Sequence, residues 1–277
     1  MSFTKLVLSG GSIKGICYLG FMKYMEEKDI LKNINEIVGC SIGSLAGLLI
    51  ILGYTSDELK EIFFGVNFDK IKSIKIGNFI CKYGLDTGEK LEKLIKIFIK
   101  NKNFDDNITL TELYKKTGKK LITTVTNVNT KSAEFLHHDI PVYLAVRMSM
   151  NIPLLFCPVK YNGFYYVDGG LCCNFPIRYY SPEILKDSKE DILCVVLKGE
   201  SDKKEINDVE SYMYNIVKTA FHKISTLDVS YALESKISLI MINTNIKSSF
   251  SFEMSEETKN ELYFSGYNKT KDFFDNK

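Results

Sequence analysis

Short uninterrupted apolar runs alternate along the chain with longer segments in which apolar residues recur every three or four positions. This is the pattern of strands buried on both faces separated by amphipathic helices. Ile37–Val38 and Ile192 to Leu197 are of the first kind, Phe3 to Leu8 ends as a buried-type strand, Leu121 to Val128 reads as a strand by its β-branched content, and Ala133 to Leu136 and Ile237 to Ile242 read as further strands. Helices are predicted from Ile16 to Lys28, from Ser44 to Leu52 before a stop at Gly53, and from a cap at Ser56. Gly88 to Lys100 turns Leu91, Leu94, Ile95 and Phe98 to one side and lysines to the other. Thr109 and Glu112 have capping-box spacing ahead of a short helix. Val209 to Lys236 and Glu256 to Phe274 complete the set. The alternation predicts an α/β fold: a single domain with a central, mainly parallel β-sheet flanked by helices on both faces. No flexible linker, internal repeat or low-complexity tract divides the chain. The expected unit is therefore 1–277, with a charged connector from Glu200 and a helix–strand–helix extension (200–277) packed on the same domain.

Composition changes this picture little. The chain has 277 residues, enough for one large α/β core, and its net charge of +2 gives no reason to expect nucleic acid. The seven cysteines are odd in number, follow no metal-ligand spacing and mostly lie in apolar runs, so they are expected to be reduced and buried, as in a cytoplasmic protein. The chain opens on a strand rather than a signal sequence, and its longest apolar run, Leu45 to Leu52, is far too short to cross a bilayer.

Chemistry concentrates in three places. Glu36 to Ala46 places Gly39 and Gly43 two residues either side of Ser41, between a short apolar strand and a helix, as a nucleophile elbow requires. Alone, G-x-S-x-G is also a common glycine-flanked turn. Upstream, the first strand runs into Ser9-Gly10-Gly11-Ser12-Ile13-Lys14-Gly15 and then a helix, an arrangement that aims backbone N–H groups at an anion. The dinucleotide fingerprint fails here because Ser12 stands at its second glycine, and the P-loop fails because Ile16 and Cys17 follow Gly15. A phosphate-cradling or purely structural turn remains the alternative, and with it a non-catalytic nucleotide- or lipid-binding module. The third place is Asp168-Gly169-Gly170 after Phe164 to Val167, which also reads as a hairpin turn. All five prolines fall between Pro141 and Pro182 and bracket it.

Taken together and in this order, Gly10 to Gly15, Gly39 to Gly43 and Asp168 to Gly170 resemble the motifs of the patatin-like phospholipase family. Ala145 to Pro153 and Asn174-Phe-Pro176 resemble the family's flanking segments, and the similarity covers about 5–197. Ser12 stands where the family usually has glycine, and Lys14 where arginine is common. The resemblance implies a serine acyl hydrolase of phospholipids or lysophospholipids. Ser41 would be the nucleophile, Asp168 its base, and Gly10, Gly11 and Ser12 the oxyanion donors, with Lys14, Gly15, Gly39, Gly43, Gly169 and Gly170 in support. It implies no cofactor and no metal, calcium included.

An ordinary serine hydrolase needs a histidine. The three here, His137, His138 and His222, sit in an exposed-looking loop and mid-helix, which suits a Ser–Asp dyad better. Lys70 to Tyr83 mixes Lys70, Lys72, Lys75 and Lys82 with apolar residues and holds no acid after Asp69. It reads as a connecting loop with a solvated basic face, or as a contact for anionic lipid. The expected partner is a lipid substrate at a membrane surface reached from the cytoplasm, with no nucleic acid; an activating protein is left open.

Overall fold

The computed structural model describes residues 3–65, 74–199, 206–244 and 254–276. In chain order the strands and α-helices are β1 (Lys5–Leu8), α1 (Cys17–Glu27), β2 (Glu36–Cys40), α2 (Ile42–Ile51), α3 (Ser56–Gly65), α4 (Ile76–Lys82), β3 (Gly84–Asp86), α5 (Glu89–Asn101), α6 (Leu110–Thr117) and β4 (Lys120–Asn127). They continue with β5 (Ser132–Leu136), α7 (Val142–Ser149), β6 (Leu154–Phe156), β7 (Val159–Tyr161), β8 (Phe164–Asp168), α8 (Pro182–Ser188), β9 (Ile192–Gly199), α9 (Val209–Glu234), β10 (Ser238–Thr244) and α10 (Glu256–Asp275).

Eight strands form one sheet in the order β10-β9-β1-β2-β4-β8-β7, with β5 also on β4, and β3 and β6 make a separate parallel pair. The sheet is parallel from β10 to β4, and its β5, β7 and β8 pairings are antiparallel. The predicted mainly parallel α/β architecture is what the chain adopts. Alternate residues of the same strand enter different cores. Leu6 and Leu8 join the cluster with α1 and α2, while Val7, Val38, Ile122, Cys194 and Val196 join the opposite one with Phe175 and Val229. Burial on both faces explains why these strands read as continuous apolar runs.

The C-terminal elements belong to the same body. β10 pairs with β9 along Ser238–Thr244, and α10 lies directly on α1. A Cβ on Gly20 would come within 1.9 Å of the Tyr263 carbonyl oxygen, and one on Gly266 within 1.9 Å of that of Cys17. Two glycines thus let the helix backbones touch.

Two local expectations are corrected. Thr55, not Ser56, caps α3: its Oγ1 accepts from the Glu58 N–H and its own N–H donates to Glu58. The Ser56 hydroxyl donates instead to Glu26 Oε2 at 2.6 Å. Of the basic segment, Lys70 and Lys72 lie outside the described residues, while Lys75 and Lys82 flank α4, which follows as a short helix. Likewise, the charged connector at Glu200 lies outside the described residues. All seven cysteines are free thiols; five are buried, Cys172 is half-buried, and Cys81 on α4 is exposed, unlike the burial expected of it.

Candidate active site

β4 assembles the site. Its residues 120–124 pair with β2, and 125–127 pair with β8. Since β5 occupies the other edge over 123–127, β2 and β8 share one edge of β4 and meet end to end. Cys40 lies opposite Thr124, and Asp168 lies opposite Val125. Two strands far apart in sequence therefore deliver Ser41 and Asp168 to one point.

There the Ser41 hydroxyl donates to Asp168 Oδ2 at 2.6 Å. Ser41 has φ 53° and ψ −124°, a conformation that costs a non-glycine residue about 1–3 kcal/mol and persists only where neighbours enforce it. The neighbours are visible. A Cβ on Gly39 would lie 2.6 Å from the Gly43 backbone, and one on Gly43 only 2.4 Å from the Leu8 carbonyl oxygen. The elbow thus closes only because both positions lack side chains. The Ser41 N–H donates to Ser149 Oγ at 2.9 Å, and Ser149 in turn donates to the Thr124 carbonyl at 2.7 Å. Ser149, on α7, ties the elbow to β4. In the sequence it is only one residue of the segment from Ala145 to Pro153, because nothing in local pattern reveals which backbone group a serine will meet.

Asp168 is completely buried. Oδ1 accepts the Gly170 N–H at 2.8 Å, and the Asp168 N–H donates to the Asn151 carbonyl at 2.8 Å. Burial raises its carboxyl to about 7, against the opposing hydrogen bonds from Ser41, Gly170 and Cys40. Asn151 is held by Arg147, whose buried guanidinium donates to Asn151 Oδ1 at 2.6 Å and to the carbonyls of Gly88 and Thr87. Burial pushes the guanidinium down to about 10, opposed by the charge of Asp86.

The glycine-rich turn lies beside the serine, where a Cβ on Gly10 would touch Ser41 Cβ at 3.4 Å and one on Gly15 would strike Ile42. The Gly10 N–H, however, donates to the Asn174 carbonyl at 2.9 Å. In this structure the N–H of Gly10, which the resemblance implies as an oxyanion donor with those of Gly11 and Ser12, is engaged within the protein. Ser12 takes φ 52°, a left-handed turn that glycine would enter more readily. Lys14 leaves the cavity beside Ser41, its ammonium lying 3.0 Å from where a Cβ on Gly199 would stand. Burial lowers it to about 8, with Cys17 opposing and Lys218 reinforcing. His137, His138 and His222 are all exposed, and the side-chain partner of Ser41 is Asp168.

From Ser41 a cavity of about 120 Å³ runs between α2, α5 and the segment from Met150 to Phe156. Its walls include Ile42, Leu45, Leu91, Leu94, Ile152 and Phe156, and among the described residues the only side-chain hydroxyls on it are those of Ser12 and Ser41. Such a surface accepts an alkyl chain and offers a charged group nothing. Among the described residues no cluster of three or more His, Cys, Asp or Glu side chains could hold a metal ion.

Comparison with known proteins gives this geometry a context. The family described as patatin-like phospholipase matches residues 6–180. The probable lipid hydrolase 463L of Invertebrate iridescent virus 6 is 31% identical over 200 residues, 67% of each chain. Lysophospholipase NTE1 of Candida glabrata is 31% identical over 179 residues, which are 62% of this chain but only 9% of that one. Among solved structures, VipD from Legionella pneumophila shares the fold at a TM-score of 0.62 and 18% identity, over 100% of this chain and 67% of that one.

Proposed function

The chain belongs to the patatin-like phospholipase family and is a lipid hydrolase, and on that footing we propose that it cleaves fatty-acyl ester bonds of phospholipids or lysophospholipids through a Ser41–Asp168 dyad. The observation that carries the reading is the 2.6 Å hydrogen bond from the strained Ser41 to a fully buried carboxylate. With the acyl chain in the apolar cavity, Ser41 Oγ attacks the ester carbonyl and its proton passes to Asp168. The new oxyanion is held by the N–H groups of Gly11 and Ser12, helped by the positive end of α2, which begins directly after Ser41. Collapse expels the glycerol-side oxygen, which takes the proton back from Asp168. Water then attacks the acyl-enzyme, again losing its proton to Asp168; the Ser41 Oγ–acyl bond breaks, Oγ takes that proton back, and the fatty acid leaves. A carboxylate near 7 is a far better base at neutral pH than one at its ordinary value.

Backbone donors stabilise the oxyanion in this scheme, so calcium has no part in it. Fatty-acid release from phosphatidylcholine and lysophosphatidylcholine is therefore expected from the wild-type protein and unchanged by EDTA, with none from Ser41→Ala. Release from neither lipid would refute the substrate class, and loss of release in EDTA would refute the calcium-free mechanism.

A further inference from the structure

The register of the sheet shows what stands beyond Ser41. Asp168 lies opposite Val125, so Val128 is three residues further along β4, and Phe164 four residues back along the antiparallel β8. At about 3.3 Å per residue, both turns project roughly 10–13 Å past the dyad on the edge where it sits. The two turns are joined, the Val128 N–H donating to the Tyr165 carbonyl and the Tyr165 N–H to Asn129 Oδ1. Tyr165 also meets Tyr83, which ends α4, at 6.3 Å between ring centroids. α4 connects in turn to the cavity wall, because β3 follows it and pairs with β6, the strand that ends on Phe156.

This continuous surface leaves large apolar groups in solvent: Ile80 is 79% exposed, Tyr83 62%, Ile74 49%, Val128 47% and Phe164 42%. Scattered singly such residues would mean little, but here they sit on α4 and two turns that the Tyr83–Tyr165 contact and the Val128–Tyr165 hydrogen bond bring together. Lys75, Lys82, Lys131 and Lys160 are exposed around them, and among the described residues none of the four is in an ion pair. The described parts of α4 and of the two turns contain no carboxylate.

We propose that this patch, formed by α4 with the β4–β5 and β7–β8 turns, docks the protein on an anionic lipid bilayer. The inference rests on the reading of the chain as a lipid hydrolase. Apolar side chains enter the interface, lysines meet the lipid headgroups, and the dyad faces the bilayer from which an ester must be drawn. A protein partner would match the apolar residues equally, but four exposed lysines on joined elements that carry no acid select a negatively charged surface.

Co-sedimentation tests it, in a Ser41→Ala background so that no lipid is consumed. Binding to phosphatidylcholine vesicles with about 30 mol% phosphatidylserine is expected to exceed binding to phosphatidylcholine alone by about tenfold or more, and to weaken with salt. Lys75→Gln/Lys82→Gln/Lys131→Gln/Lys160→Gln should lose about tenfold or more of that binding, and Ile80→Asp/Phe164→Asp a similar share. With Ser41 intact, both sets should hydrolyse a soluble short-chain ester at the wild-type rate, which also shows that they fold. Binding indifferent to both sets, or equal on the two vesicles, overturns the proposal. Patch-dependent binding by a protein with no esterase activity would keep the docking surface and reject the hydrolase reading instead.

Discussion

Ser41→Ala and Asp168→Asn are each expected to lower ester hydrolysis by about a thousandfold or more, and the double variant to be little worse than either, because the two side chains act as one unit. Asp168→Asn is the more informative. It keeps an oxygen for the Gly170 N–H and fits the same buried space, yet cannot accept the Ser41 proton. Since Asp168 must be ionised to act and burial raises it to about 7, kcat/KM of the wild type should climb through pH 7 and level off above pH 8. The same shift has an opposite consequence for stability. A carboxyl raised from its ordinary value binds its proton more tightly in the folded state, so stability falls as pH rises from about 4 to 7, where the carboxyl is ionised in the unfolded chain but still protonated in the fold. At about 1.4 kcal/mol per unit, the loss is on the order of 4 kcal/mol at pH 8. Asp168→Asn removes it. The inactive variant should therefore melt higher than wild type at pH 8, and the gap should shrink toward pH 4.5. A variant that stays active, or a gap that grows at low pH, contradicts this.

The second large effect is expected at a residue that touches neither substrate nor nucleophile. Arg147 is almost wholly buried, lies over the Phe156 ring at 4.9 Å, and spends its donors on Asn151 and on the carbonyls of Thr87 and Gly88. Arg147→Met removes the cost of burying a charge but strands Asn151 Oδ1 and the Thr87 carbonyl, the Gly88 carbonyl keeping the Glu92 N–H, and it deprives Asp86 of that charge's attraction. Each stranded acceptor costs about 1–3 kcal/mol, so the loss wins, at roughly 3–5 kcal/mol in all. For a chain of this size that is a fall in Tm on the order of 10 °C. Arg147→Lys should recover little, since one ammonium cannot reproduce the fork. Activity should fall as well, because Asn151, which Arg147 holds, takes the Asp168 N–H. Thermal unfolding within about 2 °C of wild type would show that the network is not a structural support.

Which features could be read in advance follows from where their causes lie. β1, β2, β4 and β9 are legible because both faces are buried and their residues are mostly apolar or β-branched. The elbow was legible because Gly39 and Gly43 answer a demand made within five residues. Pairings across the chain were not. β3 and β6 are three residues each, too short for any periodicity, and their contact joins residues about seventy positions apart. The meeting of β2 and β8 on β4 depends on register, which the sequence around Asp168 does not state. The cap of α3 was misplaced by one residue because Ser56 finds Glu26 thirty positions away. Gly10 looked like a free donor because Asn174, which takes its N–H, returns to it only in the folded chain.

The central claim is that Ser41 is a nucleophile activated by Asp168. Covalent labelling with an alkyl fluorophosphonate tests it most directly. The serine oxygen bonds to phosphorus, fluoride leaves and the proton passes to Asp168, so a single adduct is expected on the peptide containing Ser41 by mass spectrometry. Ser41→Ala should take no label, and Asp168→Asn should take it far more slowly than wild type. No adduct on the wild-type protein, an adduct on another residue, or undiminished labelling of Asp168→Asn would contradict the account.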